Sequence, residues 1–537
     1  MELRRISCVL MMVAVATALM AVPARRGGFI RTAADGTEKI VYLHGNAHFH
    51  YMTDEAGQWL DENTLLPITE EEKGERLMVK GERAARRAAQ QAAGIGDQPN
   101  IAPRGLMILV NFQDKAFTVP HDTIDSMMNG VNYTRHYKYE YVYKGRTYKG
   151  TVNSSGSARR YFQDQSYGQY SPVFDVVGPY TVSGNVETYG KNSGGSDSNV
   201  GALIKEACEL ADKNGANFTL YDNDNDGYVD FVYVLYAGEG EADGGGENTI
   251  WPHNWKLNYW GLSCTVDGKK VNNYACSNEM DHYSGVYTGI GTFVHEFGHV
   301  LGLPDFYETN NPQTGLHTLV DWDIMDYGPY SGEGNTPPAY SAYERFYMGW
   351  LTPRLLSKPE DVTLYPINED GGSSLMISTA NTHNMSGWDP NPTTFYLLEA
   401  RTKQGWDEFL PGEGLLITKI NFNRGSWNYN QVNINSRAFG VDILEAVANT
   451  GKLGAATDAY PAGATQWTGY ADHEVTDIRR DATTGAITFK YRGGDQTPTE
   501  NVEVNESNAS ARKVLRNGQI QILRKDGKVY NILGIQL

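Results

Sequence analysis

The period of the hydrophobic pattern changes several times along the chain, and each change marks a unit. The first apolar stretch, Val9 to Val22, follows Arg4 and Arg5 and is roughly half to two-thirds of the ~20 residues a spanning helix needs. It reads as a secretory signal peptide over 1–24, with Ala16-Thr17-Ala18 and Val22-Pro23-Ala24 both acceptable before a cleavage. Lys39 to Leu43 and His48 to Met52 then alternate apolar and polar positions, which predicts a small β-rich unit ending at Pro67. A charged helical connector, Glu70 to Ala93, carries Arg83, Arg86 and Arg87 and is open to trypsin-like cutting. The apolar strand Leu106 to Phe112 opens a unit over 101–351, with helices at Ser157 to Gln163 and Asn199 to Asn214 and a buried strand at Asp230 to Tyr236. Over 352–492 the helical period fades, and short strands such as Phe395 to Glu399 and Gly414 to Thr418 predict an all-β domain. A polar linker, 493–510, precedes a last pair of strands within 511–537, Gln519 to Leu523 and Val529 to Leu533. The expected class is therefore α+β.

Composition narrows what such a chain does. Its 46 Lys and Arg against 64 Asp and Glu leave a net charge of −18, which disfavours nucleic acid as the main partner. The 58 Gly and 34 Tyr suit a turn-rich, β-rich globular protein and exclude disorder throughout. Beyond the leader only Cys208, Cys264 and Cys276 remain. Cys264 and Cys276 flank a hairpin, Thr265 to Ala275, and in an oxidising compartment they are expected to pair; Cys208 reads as a buried small hydrophobe.

The chemistry concentrates in His295 to Tyr307, HEFGHVLGLPDFY. A four-residue interval on a helix puts His295 and His299 on one face, where two imidazole nitrogens can reach one zinc at about 2.0–2.1 Å. Glu296 then stands beside the metal as a general base, Gly302 ends the helix, and Asp305 returns as the third ligand. Two His and one carboxylate leave a coordination position for water, as catalytic zinc requires. In Asp321 to Tyr327, Met325 can form a thioether floor under the metal, while the Tyr327 phenol can support an oxyanion or approach the ion.

This pattern resembles the metzincin clan, whose long zinc motif is followed by a Met-turn. Together with Ser166 to Tyr170, Ile250 to His253 and Gly405 to Pro411, it is similar to the immune inhibitor A family of secreted metallopeptidases over about residues 45–491. The resemblance implies a signal peptide, an N-terminal propeptide over 25–100, a metzincin-like zinc protease domain with a mixed sheet and an active-site helix, and a β-rich domain behind it. Gly45-Asn46 stands where that family's propeptide commonly has Gly-Asp, and no cysteine lies between residue 24 and Cys208, so neither an inhibitory aspartate there nor a thiolate cap is available. The segment Ala511 to Leu537 is similar to the C-terminal tails of type IX secretion cargo, which implies an outer-membrane secretion partner; a plain terminal hairpin is the alternative.

A second ion site is suggested by Asp222-Asn-Asp-Asn-Asp-Gly-Tyr-Val-Asp230. Asp222, Asp224, Asp226 and Asp230 fall at the first, third, fifth and ninth positions of a calcium loop, Gly227 supplies the sharp turn, and the Tyr228 carbonyl, water, Glu239 or Glu241 can complete the shell. The whole reads as a secreted or cell-surface zinc endopeptidase acting on proteins or peptides and stabilised by calcium. A calcium-stabilised adhesin with a vestigial zinc site, binding through aromatics such as Trp388, Trp427 and Trp467, is the rival.

Overall fold

The computed structural model describes residues 21–78, 103–495 and 511–536, apart from short stretches at 34–35, 48, 63, 144–145, 155, 194–195, 283, 310–317, 370–372, 449–453, 517–518, 525–527 and 532–535. At its centre is a five-stranded sheet in the order His253–Lys256, Asn273–Met280, Val232–Glu239, Arg104–Asn111, Val173–Thr181. The last four strands are parallel and His253–Lys256 is an antiparallel edge, so the sheet is mixed, as expected. Val232–Glu239 is buried along nearly its whole length because it lies mid-sheet with both faces covered, which explains its unbroken apolar run.

Helices cover the two faces. On one lies Gly291–Val300, whose Phe293 and Phe297 meet Phe174 and Phe231 edge to face at centroid separations of 4.9–5.2 Å. Tyr161 and Phe162, from Ala158–Gln165 with Ser157 as its N-cap, join the same core. On the other face Val200–Lys213 buries Leu203, Ile204, Ala207 and Cys208 in one cluster with residues of the N-terminal sheet. That sheet is antiparallel, with the strands Gly28–Thr32, Glu38–Asn46, Phe49–Thr53 and Trp59–Leu60 in sequence order. Residues 70–78 are helical, whereas the arginines expected to be cut, Arg83, Arg86 and Arg87, lie outside the described residues.

Residues 352–495 form two facing sheets, a five-stranded one that includes Thr394–Arg401 and Gly414–Asn421 and a three-stranded one that includes Ile487–Tyr491. A short helix, Arg424–Asn428, interrupts them, started by the Asn423 side chain accepting from the Ser426 N–H at 3.0 Å. The expectation of strands alone therefore needs this amendment. Trp427 on that helix is fully buried and Trp467 nearly so, so both fill the interior, while Trp388 is partly buried against the core. Trp427 shares one core with Phe293 and Phe297, which carries the following Asn430 into the site described below.

Two further expectations are revised. All three described cysteines are free. Cys264 lies in a hairpin strand opposite Val271, while Cys276 lies in the central sheet opposite His253, so the flanking positions diverge; the Cys264 thiol faces Cys208 instead. At the C-terminus the hairpin has a third strand: Ala511–Arg516, Gln519–Arg524 and Val529–Asn531 form an antiparallel sheet. No helix among the described residues is long and apolar enough to cross a membrane.

Candidate metal and active site

The helix Gly291–Val300 delivers His295, Glu296 and His299 into the interior, all buried. Gly302, at φ +102°, takes the left-handed conformation that stops the helix and lets Pro304 and Asp305 turn back, as the motif predicts. His295 Nδ1 donates to the Ile324 carbonyl at 2.7 Å and His299 Nδ1 donates to the Leu303 carbonyl at 2.8 Å. Those bonds assign each ring proton to Nδ1 and turn both Nε2 lone pairs inward. The two Nε2 atoms are 3.2 Å apart and lie 3.2 and 3.3 Å from Asp305 Oδ1. A tetrahedral ion with ligands at about 2.0–2.1 Å needs edges of ~3.3–3.4 Å, so the donor set fits such an ion. Burial holds His295 below its ordinary value and thus in the neutral form a metal needs.

Asp305 is oriented from a distance. Its Oδ2 accepts from Asn430 Nδ2 at 2.6 Å and its N–H donates to Asn430 Oδ1 at 2.7 Å. Asn430, at φ +51°, comes from the loop after Arg424–Asn428, and nothing in the local zinc motif signals it. Beneath the helix, Met325 is fully buried: a Cβ built on Gly298 would lie 2.7 Å from its Sδ, so the missing side chain lets the helix sit on the thioether.

Glu296 lies beside the triad with Oε2 buried and without a hydrogen-bond partner. Burial, then the Asp305 charge, pushes its carboxyl well above the usual range, against the Val22 N–H that donates to Oε1 at 3.1 Å. That amide belongs to a stretch of the N-terminal segment threaded through the cleft. The Tyr307 hydroxyl donates to the Ala21 carbonyl, Trp251 Nε1 to the Val22 carbonyl at 2.9 Å, and the Tyr330 hydroxyl to the Pro23 carbonyl at 2.6 Å. Arg25 closes the far end on Asp281 and Glu333. The Ala21–Val22 peptide is thus held between a carboxyl on its nitrogen and a phenol on its carbonyl. Sequence reasoning misses Tyr307, two residues past Asp305, although its place in the motif is a signal. Tyr327, the phenol expected from the sequence, lies under the Arg26 guanidinium at 3.6 Å.

Of the predicted calcium residues, the structure gathers Asp222, Asp224 and Asp226. Gly227 turns at φ +91°, as the loop pattern requires. Asp230 Oδ2 is engaged instead by the Asn223 N–H and side-chain amide, both at 2.7 Å, and Lys269 Nζ reaches Asp222 at 2.5 Å. The Tyr228 side chain points outward over Lys270. Glu239 bonds His282 at 2.7 Å, and Glu241 joins a different cluster.

This donor set, two imidazoles and a carboxylate with a second carboxyl alongside, could hold a divalent metal ion. Residues 97–351 match the family described as immune inhibitor A peptidase M6, catalytic domain. Two curated relatives match as well. The pre-pro-metalloprotease PrtV of Vibrio cholerae serotype O1 is 28% identical over 283 residues, 45% of this chain, and immune inhibitor A of Bacillus thuringiensis subsp. alesti is 28% identical over 220 residues, 34% of this chain. Each match spans 30% of the relative's own length.

Proposed function

We propose that the chain is a secreted zinc endopeptidase with Glu296 as its general base and proton carrier. The observation that carries the reading is the triangle of His295 Nε2, His299 Nε2 and Asp305 Oδ1, with edges of 3.2–3.3 Å and Glu296 alongside. Zinc held there would supply a Lewis acid that polarises the scissile carbonyl and lowers the pKa of water. Glu296, buried and raised in pKa, suits accepting a proton from water and returning it to the leaving amine. Its Oε1 already meets an amide nitrogen, that of Val22, at the distance such a transfer needs. On the carbonyl side Tyr307 donates where negative charge would develop, and Tyr327 is kept as the second candidate donor. Asn430 holds Asp305 in its ligand orientation.

The segment Ala21 to Arg25 accounts for latency, which the sequence left open: main chain fills the cleft and the Arg25 clamp secures it. This favours removal of the leader after Ala18, which leaves the strap on a proenzyme whose N-terminal sheet acts as propeptide. Calcium at Asp222, Asp224 and Asp226 is proposed as a structural ion, with Asp230 supporting the loop through Asn223. The tail from Ala511 is proposed as a secretion signal. Casein hydrolysis by the processed enzyme should stop with a chelator and return with zinc. Binding without chelator-sensitive hydrolysis would leave the adhesin reading standing.

A further inference from the structure

A second buried cluster lies between the N-terminal sheet and the central sheet. His50 comes from Phe49–Thr53, Glu62 follows Trp59–Leu60, and Glu241 follows Val232–Glu239; they are 2, 6 and 1% exposed. Each offers one ligand atom, and the three atoms lie within 4.8 Å of one another.

Hydrogen bonding shows what the cluster is suited to hold. His50 Nδ1 faces the Asn46 carbonyl at 3.3 Å, which assigns its proton there and turns the Nε2 lone pair into the cluster. That nitrogen lies 2.8 Å from Glu241 Oε1. Asn192 Nδ2 reaches both, at 2.8 and 2.6 Å, yet its own Oδ1 is buried without a hydrogen-bond partner, as are Glu241 Oε2 and Asp197 Oδ1. A 180° rotation of the Asn192 amide, which exchanges its oxygen and nitrogen, would add another oxygen donor facing the same space. Arg31 and Arg76 supply positive field at longer range and Glu247 opposes them. Three carboxylates thus lie around one imidazole in the interior, and buried carboxylates of this kind are either protonated or bound to a cation.

We propose that His50, Glu62 and Glu241 form a second divalent-cation site that fastens the N-terminal sheet to the metallopeptidase region. A ligand nitrogen beside carboxylates favours zinc or a similar transition-metal ion over calcium or magnesium, which take oxygen. His50 and Glu62 lie on one side of the junction and Glu241 on the other. The next residue, Ala242, accepts the Arg25 N–H through its carbonyl at 2.9 Å, so the tie adjoins the strap across the cleft. The site does not depend on the proposed catalysis.

Zinc content of the purified full chain tests it, measured by mass spectrometry after removal of loosely held ion. About two zinc ions per chain are expected, falling to about one in Glu62→Gln, in His50→Gln and in His299→Ala. A Glu62→Gln or His50→Gln chain with the wild-type content overturns the site. Glu62→Gln is isosteric, and the His299→Ala chain leaves the cluster intact, so a folding defect in His50→Gln does not decide the matter: His299→Ala without zinc also overturns it. His299→Ala with unchanged content would instead sink the catalytic zinc reading alone.

Discussion

Asn430 meets Asp305 twice, its amide nitrogen on the carboxylate and its amide oxygen on the Asp305 N–H, across 125 residues of chain. A side chain from the β-rich region therefore fixes the third corner of the proposed metal triangle. Asn430→Ala should weaken zinc affinity by about 10–100-fold, the usual effect of losing a partner that orients a ligand. Competition with a zinc chelator reads this directly; unchanged affinity would make the contact one of packing only.

The Arg25 clamp predicts a release phenotype. Its side chain is largely buried on Asp281 and Glu333. Arg25→Ala leaves two carboxylates without that partner and should raise the proteolytic activity of the unprocessed chain, whereas Arg25→Lys should stay closer to wild type. Equal latency in all three would mean that the main-chain bonds of Ala21 to Pro23 suffice.

The Met325 floor is tight. Gly298→Ala places a methyl 2.7 Å from Met325 Sδ and 3.1 Å from Tyr340 Oη, so overpacking should cost about 1–3 kcal/mol. Chemical denaturation measures the loss. Repacking by Gly298→Ala, Met325→Ala together should recover part of it, and an undiminished stability of Gly298→Ala would contradict the packing described.

Burial, together with the neighbouring Asp326, pushes the Asp323 carboxyl up to about 7 from 3.8. The folded state thus keeps a proton that the unfolded state releases near pH 4. Stability therefore falls as pH rises from about 4 to 7, by on the order of 1 kcal/mol for each pH step of one across that window. Asp323→Asn keeps the acceptor for the Met325 N–H and removes the titration. Its Tm should decline less than that of wild type between pH 5 and pH 8. Parallel curves would rule out Asp323 as the titrating group.

The sequence disclosed the parts of the site that are local. His295, Glu296, His299 and Asp305 fall within eleven residues, where the helical period and the stop at Gly302 set the geometry. The buried strand near Val232 was legible for the same reason, since an unbroken apolar run reports burial on both faces. Asn430 and Val22 reach the site over 125 and 274 residues, and such contacts leave no trace in local periodicity. The cysteines misled because flanking a hairpin says nothing of which sheet each strand joins. The helix Arg424–Asn428 was hidden by its length, five residues without an amphipathic repeat. In the acidic loop the turn at Gly227 and the grouping of Asp222, Asp224 and Asp226 were legible, but the sequence could not show Asp230 bonded to Asn223.

Glu296→Gln decides the central claim most directly, with zinc content and casein turnover measured on the same processed sample. The account predicts zinc at the wild-type level in the His295, His299 and Asp305 triangle and turnover reduced by at least about a hundredfold, the lower range of general-base catalysis. Turnover near wild type with zinc in place would remove Glu296 from the chemistry and contradict the account.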